Sequence, residues 1–251
     1  KKVNVSGAKV PHPVAIVCTK GKREFYLEDL DVKYPKNLYS FSVAQCRTVL
    51  TWMARYHAHF WGADAAEKES SSEKKEHQGL WAQGGYWYLD TRREELQSTG
   101  RGSGWRQVVA WADVIDQRLK NTAFPTIIHG DPKCANIVFS KDEKECALYD
   151  FQYAGRAPGA KDLAYLFVTS CNDDCYKHEE DLLKHYHLEL KTALLKRGDA
   201  LAAKGAQSYT MEALVEEFEW SILDFLRFLA GWGSWGNVRW AASRSRQRLA
   251  D

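Results

Sequence analysis

Apolar residues at positions 43, 46, 49, 50, 53, 54, 57, 60 and 61 recur at intervals of three and four, which predicts an amphipathic helix from Ser42 to Trp61. Ser42 can cap its first turn, Gln45 completes a capping box, and Gly62 stands where a left-handed residue is wanted. The first thirty residues have another rhythm. The apolar run Pro13 to Thr19, the turn Lys20-Gly21-Lys22 and the run Glu24-Phe25-Tyr26-Leu27 predict a β-hairpin. Trp105, Val108, Val109, Ala112, Ile115 and Leu119 mark a second amphipathic helix. The period then shortens into three strands, Thr126–His129, Ile137–Ser140 and Cys146–Asp150, the last two joined by a charged turn over 141–145. Helices resume at about 161–170, 178–197 and 210–230. Residues 64–78 are polar and of low complexity, which predicts a mobile surface loop. The glycines of Thr99–Gly104 read as a connector, because no strand leads into them as a phosphate loop requires. The order of elements is α+β: a β piece, helices, a β insertion and more helices.

Composition narrows the class. The chain has 251 residues, 45% hydrophobic and 27% charged, which suits one large domain or two small ones. Lys and Arg number 35 against 33 Asp and Glu, so no basic excess points to nucleic acid. No apolar run reaches about 18 residues, so no membrane span is expected. Lys1 to Lys9 lead into no apolar run, so no signal peptide is expected either. The six cysteines read as scattered reduced thiols of a cytoplasmic protein, since only Cys171 and Cys175 are neighbours.

The segment richest in chemistry is His129-Gly130-Asp131-Pro132-Lys133-Cys134-Ala135-Asn136. Asp150-Phe151-Gln152 and Asp162-Leu163-Ala164 follow it. A loop between two short strands presents Asp131 and Asn136, and the next strand returns with Asp150 at its end. Two carboxylates and an amide then converge at a sheet edge, a hard-oxygen set suited to Mg²⁺. Lys133 adds a cation on the same loop. Phosphoryl transfer needs these parts: a metal, a cation for the transferring oxygens and a carboxylate to orient the acceptor hydroxyl.

This order of residues resembles the catalytic and metal-binding segments of the protein-kinase-like superfamily. His-Gly-Asp in place of His-Arg-Asp is similar to its small-molecule branch, the aminoglycoside phosphotransferases and choline kinases. Asp150-Phe151-Gln152 with Asp162-Leu163-Ala164 most resembles the ecdysteroid kinase-like family. Leu27-Glu28-Asp29-Leu30 looks like that family's hinge, and His57-Ala58-His59-Phe60-Trp61 like its helix end. The resemblance implies a two-lobed kinase-like fold, with residues 1–30 the remnant of an N-lobe and hinge and residues 31–251 a mostly helical C-lobe. It implies an ATP- and Mg²⁺-dependent phosphotransferase acting on a hydroxyl of a small molecule. Asp131 would be the base or orienting carboxylate and Lys133 would contact the transferred phosphate. Asn136 and Asp150 would bind magnesium. His129 would brace the loop, Asp162 would hold its backbone, and the backbone of Glu28, Asp29 and Leu30 would meet adenine.

The family's N-lobe also carries a glycine-rich loop and a strand lysine, and the residues before Glu28 show neither. A truncated N-lobe is therefore expected, together with poor catalysis by this chain alone. A protein kinase is the nearest rival. It is disfavoured because no Ala-Pro-Glu follows Asp150 and only eleven residues separate Asp150 from Asp162. A non-catalytic pseudokinase-like binding module is the rival from another class. For the acceptor, Trp220, Asp224 and Arg227 share one helical stripe that would suit a cation or a hydroxylated apolar molecule, although structural packing is the better reading of any one of them. His57 and His59 read as packing and capping residues, and Cys134 needs no catalytic role.

Overall fold

The computed structural model describes residues 6–63, 80–99 and 105–250. The expected loop at 64–78 lies outside the described residues, as does most of the connector at 99–104. The class is α+β, with the strands of the described residues in three small sheets and the helices forming the body. Strands β1 (Pro13–Thr19) and β2 (Lys22–Leu27) form the expected hairpin, turning at Gly21 with φ 86°. A second sheet sets β5 (Ile137–Phe139) between β3 (Lys36–Asn37) and β6 (Cys146–Leu148), all antiparallel. The third pairs β4 (Pro125–Ile128) with β7 (Gly155–Pro158), also antiparallel.

Helix α1 (Val43–His59) is the spine of the body. Ser42 Oγ accepts from the Gln45 amide and Gln45 Oε1 accepts from the Ser42 amide at 2.8 Å, the capping box legible in the sequence. Its buried face, Cys46, Val49, Leu50, Met53, Ala54 and His57, packs along α7 (Glu179–Arg197). Gly62 is left-handed at φ 75°, and its amide donates to Pro125 O, which ties the end of α1 to β4. Helix α5 (Ala160–Ser170) is buried along nearly its whole length against α9 (Met211–Trp232). Between α5 and α7 lies the short α6 (Asp173–Lys177).

Several elements differ from expectation. The helix expected from Trp105 to Leu119 is two, α3 (Arg106–Ala110) and α4 (Ala112–Lys120), after a short α2 (Arg93–Gln97). The bend falls at Trp111, which stays 41% exposed while Val108 and Ile115 both reach the core. Strand β7 was not expected, because Gly-Arg-Ala-Pro has little intrinsic strand preference and pairing with β4 imposes it. Helices α8 (Ala200–Ser208) and α10 (Val238–Ala250) were also unread. Packing, the reading preferred over an acceptor wall, holds for Asp224 and Arg227, which are each 1% exposed and paired inside the core. The thiols are not scattered: Cys46, Cys171 and Cys175 meet in space. Among the described residues no helix is long and apolar enough to cross a membrane.

Candidate active site

The β4–β7 pair and the β5–β6 pair present their connecting segments to one another, and the segment from His129 to Asn136 lies between them. It leaves β4 through Gly130, whose φ of 85° excludes most side chains. A Cβ there would also stand 2.3 Å from Tyr153 O, so glycine is required twice over. The loop closes with a single 3₁₀ turn, Cys134–Asn136, that feeds β5.

The loop's backbone is held from α5. Asp162, in that helix's first turn, accepts the His129 amide on Oδ2 at 2.7 Å and the Gly130 amide on Oδ1 at 2.9 Å. His57 Nε2 lies 3.2 Å from the same Oδ2, and His57 Nδ1 lies 2.8 Å from the Tyr186 hydroxyl. One buried carboxylate thus joins the loop to α1, α5 and α7. The His129 ring is buried and braces the loop from within. Its Nδ1 accepts the Asp131 amide at 3.2 Å, so Nε2 carries the proton and donates to Tyr149 O at 2.9 Å. Burial pushes the His129 pKa below the usual histidine value.

Asp131 is 2% exposed, and both of its oxygens are engaged. Oδ1 accepts from the Tyr165 hydroxyl at 2.7 Å. Oδ2 accepts from Lys133 Nζ at 2.9 Å and from Asn136 Nδ2 at 3.1 Å. Asn136 Nδ2 also donates to Asp131 O at 2.9 Å, which leaves the amide's carbonyl oxygen as its group for any cation. The Tyr149 amide donates to Asn136 O at 3.2 Å, so the residue preceding Asp150 is paired directly to Asn136. Asp150 has φ 65°, a left-handed conformation uncommon for a non-glycine residue, and its exposed carboxylate accepts from Gln152 Nε2 at 3.3 Å. Phe151 packs on the His129 ring at 4.5 Å between centroids.

The structure therefore brings together His129, Asp131, Lys133, Asn136 and Asp162, with Asp150 one residue from the paired backbone. Of the hinge residues, Leu30 packs with Tyr149, the neighbour of Asp150, against the small cluster of Tyr34, Val138 and Ala147. The Glu28 amide donates to His12 O at 2.8 Å, and the Glu28 carboxylate holds Lys9 and the His12 amide. Leu30 O accepts from the Lys33 and Tyr34 amides, and Asp29 Oδ1 accepts from the Asp31 amide. Glu28 instead lines a cavity of about 1030 Å³ against the outer face of α1, with Lys9, Arg47, Arg55 and His185, and Asp131, Asn136 and Asp150 do not line it. The hinge expected to meet adenine thus has its Glu28 amide and Leu30 carbonyl already engaged within the chain.

Tyr165, Tyr86 and Ser170 were missed. Tyr165 is raised well above the usual phenol range, first by burial, so it stays a hydroxyl donor to Asp131. Its partner Tyr86 lies 3.2 Å away, oxygen to oxygen, and Ser170 Oγ accepts the Cys134 amide at 2.8 Å. A signal for Tyr165 was present: it sits three residues after Asp162, on the same helical face.

Residues 106–198 match the sequence model of the ecdysteroid kinase-like family. The match contains the whole of the segment from His129 to Ala164, so the resemblance drawn from that motif holds there. No curated protein matches the sequence. Among solved structures the chain is similar to a choline/ethanolamine kinase family protein from Mesorhizobium loti, at 14% identity and a TM-score of 0.47, covering 99% of this chain and 75% of that one. It is similar to ethanolamine kinase from Plasmodium vivax at 12% identity and a TM-score of 0.47, covering 98% and 70%. A type I macrolide 2'-phosphotransferase gives 14% identity and a TM-score of 0.41, covering 94% and 66%.

Proposed function

We propose that the chain belongs to an ATP- and Mg²⁺-dependent phosphotransferase that acts on a hydroxyl of a small molecule. The observation that carries this reading is the Asp131 carboxylate, buried yet held by Tyr165, Lys133 and Asn136 in a loop whose amides Asp162 clamps. A carboxylate so positioned can accept the proton of an acceptor hydroxyl while that oxygen bonds to the γ-phosphorus and the bond to the ADP oxygen breaks. Lys133 is the cation of the loop and can shift from Asp131 to the transferring oxygens.

The donor set fits a magnesium ion: the Asn136 carbonyl oxygen and the Asp150 carboxylate are hard ligands on paired backbone, and Asp150 keeps its left-handed conformation with little other engagement. A bound Mg²⁺ would supply charge neutralisation at the phosphate oxygens. Residues 1–30 serve as the N-lobe remnant and hinge, and residues 31–251 as the C-lobe. Adenine would meet those backbone groups of Glu28 to Leu30 that His12, Lys33 and Tyr34 leave unused. Asp224 is not available to a cationic acceptor, since Arg227 and Lys161 already neutralise it.

The engaged Glu28 amide favours a second reading, a binding module that keeps the loop without turning over nucleotide. ADP release in the presence of amino alcohols and steroid alcohols separates the two. The protein is expected to release ADP in a Mg²⁺-dependent manner with one acceptor class. Asp131→Asn is expected to lower kcat by on the order of 10²–10⁴ with little change in nucleotide affinity. A thermal shift with Mg²⁺–ATP but no turnover would support the binding module, and full turnover by Asp131→Asn would remove Asp131 from the mechanism.

A further inference from the structure

Cys46 meets the neighbouring pair Cys171 and Cys175, well over a hundred residues further along the chain, away from the catalytic loop. Cys46 lies inside α1, Cys171 directly follows α5 and Cys175 lies in α6. Cys46 Sγ is 3.1 Å from Cys171 Sγ and 3.4 Å from Cys175 Sγ, and all three sulfurs lie within 4.8 Å of one another. Cys46 and Cys175 are fully buried, and Cys171 is half-buried. We propose that Cys46, Cys171 and Cys175 form a binding site for one thiophilic metal ion, zinc, held as a three-thiolate centre.

The backbone delivers these sulfurs to one point. The Phe41 amide donates to Ser170 O at 2.7 Å and the Asn172 amide to Phe41 O at 3.0 Å, which fixes Cys171 beside the start of α1. Asn172 caps α6 by accepting the Cys175 amide at 3.3 Å. Cys171 and Cys175 have three residues between them, a spacing common among zinc ligands.

Zinc–sulfur bonds of about 2.3 Å in a tetrahedral centre put sulfurs about 3.8 Å apart. The thiols therefore need to open by about half an ångström, within reach of small side-chain adjustments. A disulfide instead needs sulfurs about 2.05 Å apart, so Cys46 and Cys171 would close by about 1 Å between a helix interior and a pinned backbone. It would also leave Cys175 without a role.

Cys175 Sγ donates to Cys46 Sγ at 3.4 Å and to Phe41 O at 3.2 Å, so the three sulfurs face one another as thiols. Binding breaks the three S–H bonds, releases three protons to solvent and leaves zinc with three thiolates at a net charge of −1. A water entering past half-buried Cys171 completes the coordination. The ion would tie α1 to the end of α5, the helix that carries Asp162 and Tyr165. The proposal does not depend on the phosphotransferase reading.

The test uses the whole chain, fully reduced and metal-free. Titration with Co²⁺ is expected to give a thiolate-to-cobalt charge-transfer band in the near ultraviolet, saturating at one equivalent and bleached by zinc. Zinc at a hundredfold excess over its dissociation constant is expected to raise Tm by about 5–10 °C. Cys171→Ser is expected to lose the band, whereas Cys18→Ser and Cys134→Ser keep it. The wild-type titration decides the matter even where a buried cysteine variant fails to fold. A reduced wild-type protein with neither band nor thermal shift overturns the proposal, as does isolated protein with four free thiols of six, a disulfide and no metal.

Discussion

At the residue scale the candidate site is a set of hydrogen bonds with one acceptor at its centre. Asp131 receives donors from Tyr165, Lys133 and Asn136, and of these only Tyr165 lies outside the loop. A neutral donor to a charged acceptor contributes about 1.5–3 kcal/mol, so removing it alters the basicity and position of the carboxylate. Tyr165→Phe is expected to lower kcat about tenfold and to shift the acid limb of the pH–rate profile, with the fold intact by circular dichroism. An unchanged profile would show that the hydroxyl only fills space.

His129 carries a second residue-scale expectation. Burial depresses its pKa below the unfolded value, so the folded protein resists protonation. Its stabilising contribution is complete above the unfolded pKa of about 6.5 and is lost as pH falls through the depressed folded value. Tm is therefore expected to fall on acidification below about pH 6.5. The fall is expected to be shallower in His129→Gln, as differential scanning calorimetry across pH would show. The positions of Asp131, Asn136, Asp150 and Asp162 were legible because each lies at a strand or helix end that local sequence specifies. The Glu28 contacts were not, because Lys9 and His12 reach it from a segment with no periodicity to read.

At the element scale, legibility followed the strength of the local signal. Helix α1 has its period, its capping box and its glycine, and all three are present in the fold. Strand β7 has none of these, and exists because β4 needs a partner and Gly155 tolerates the close passage of Trp81 O. Helix α8 is a similar case, capped by Asp199 and pressed onto Trp61 through Gly205. A Cβ at residue 205 would stand 2.3 Å from Trp61 Nε1, and that ring is itself packed against Phe124 and Tyr209. Gly205→Ala gains helix propensity of about 1 kcal/mol, but overpacking a rigid aromatic costs about 1–3 kcal/mol. The overpacking is expected to win, lowering Tm by a few degrees, and a rise in Tm would show that Trp61 yields.

At the scale of the whole molecule, two long-range assemblies bind the helices, and no window of sequence displays either. The thiol cluster joins residues 125 apart in the chain. The other is an ion cluster between α5 and α9, with Lys161, Asp224 and Arg227 all at or below 1% exposure. Asp224 Oδ2 lies 3.1 Å from Lys161 Nζ, and Oδ1 accepts from Arg227 Nη2 at 2.5 Å. Arg227 also donates to Trp87 O at 2.6 Å, and Lys161 Nζ lies 5.0 Å from the centre of the Trp87 ring. One carboxylate thus serves two buried cations. Burial alone would raise the Asp224 pKa, but Arg227 and Lys161 outweigh it and hold it below the usual carboxylate value.

Taking that carboxylate's charge away strands both cations in the core, a loss of about 3–5 kcal/mol. Asp224→Asn is expected to lower Tm by about 6–20 °C. The same loss is expected in the wild type as pH falls through the depressed Asp224 value, since a lowered acid stabilises only while ionised. The triple replacement Lys161→Met, Asp224→Leu and Arg227→Met removes all three charges together, and is expected to recover most of the stability that Asp224→Asn loses. If the triple variant is no more stable than Asp224→Asn, the shape of these side chains rather than their charge holds α5 to α9.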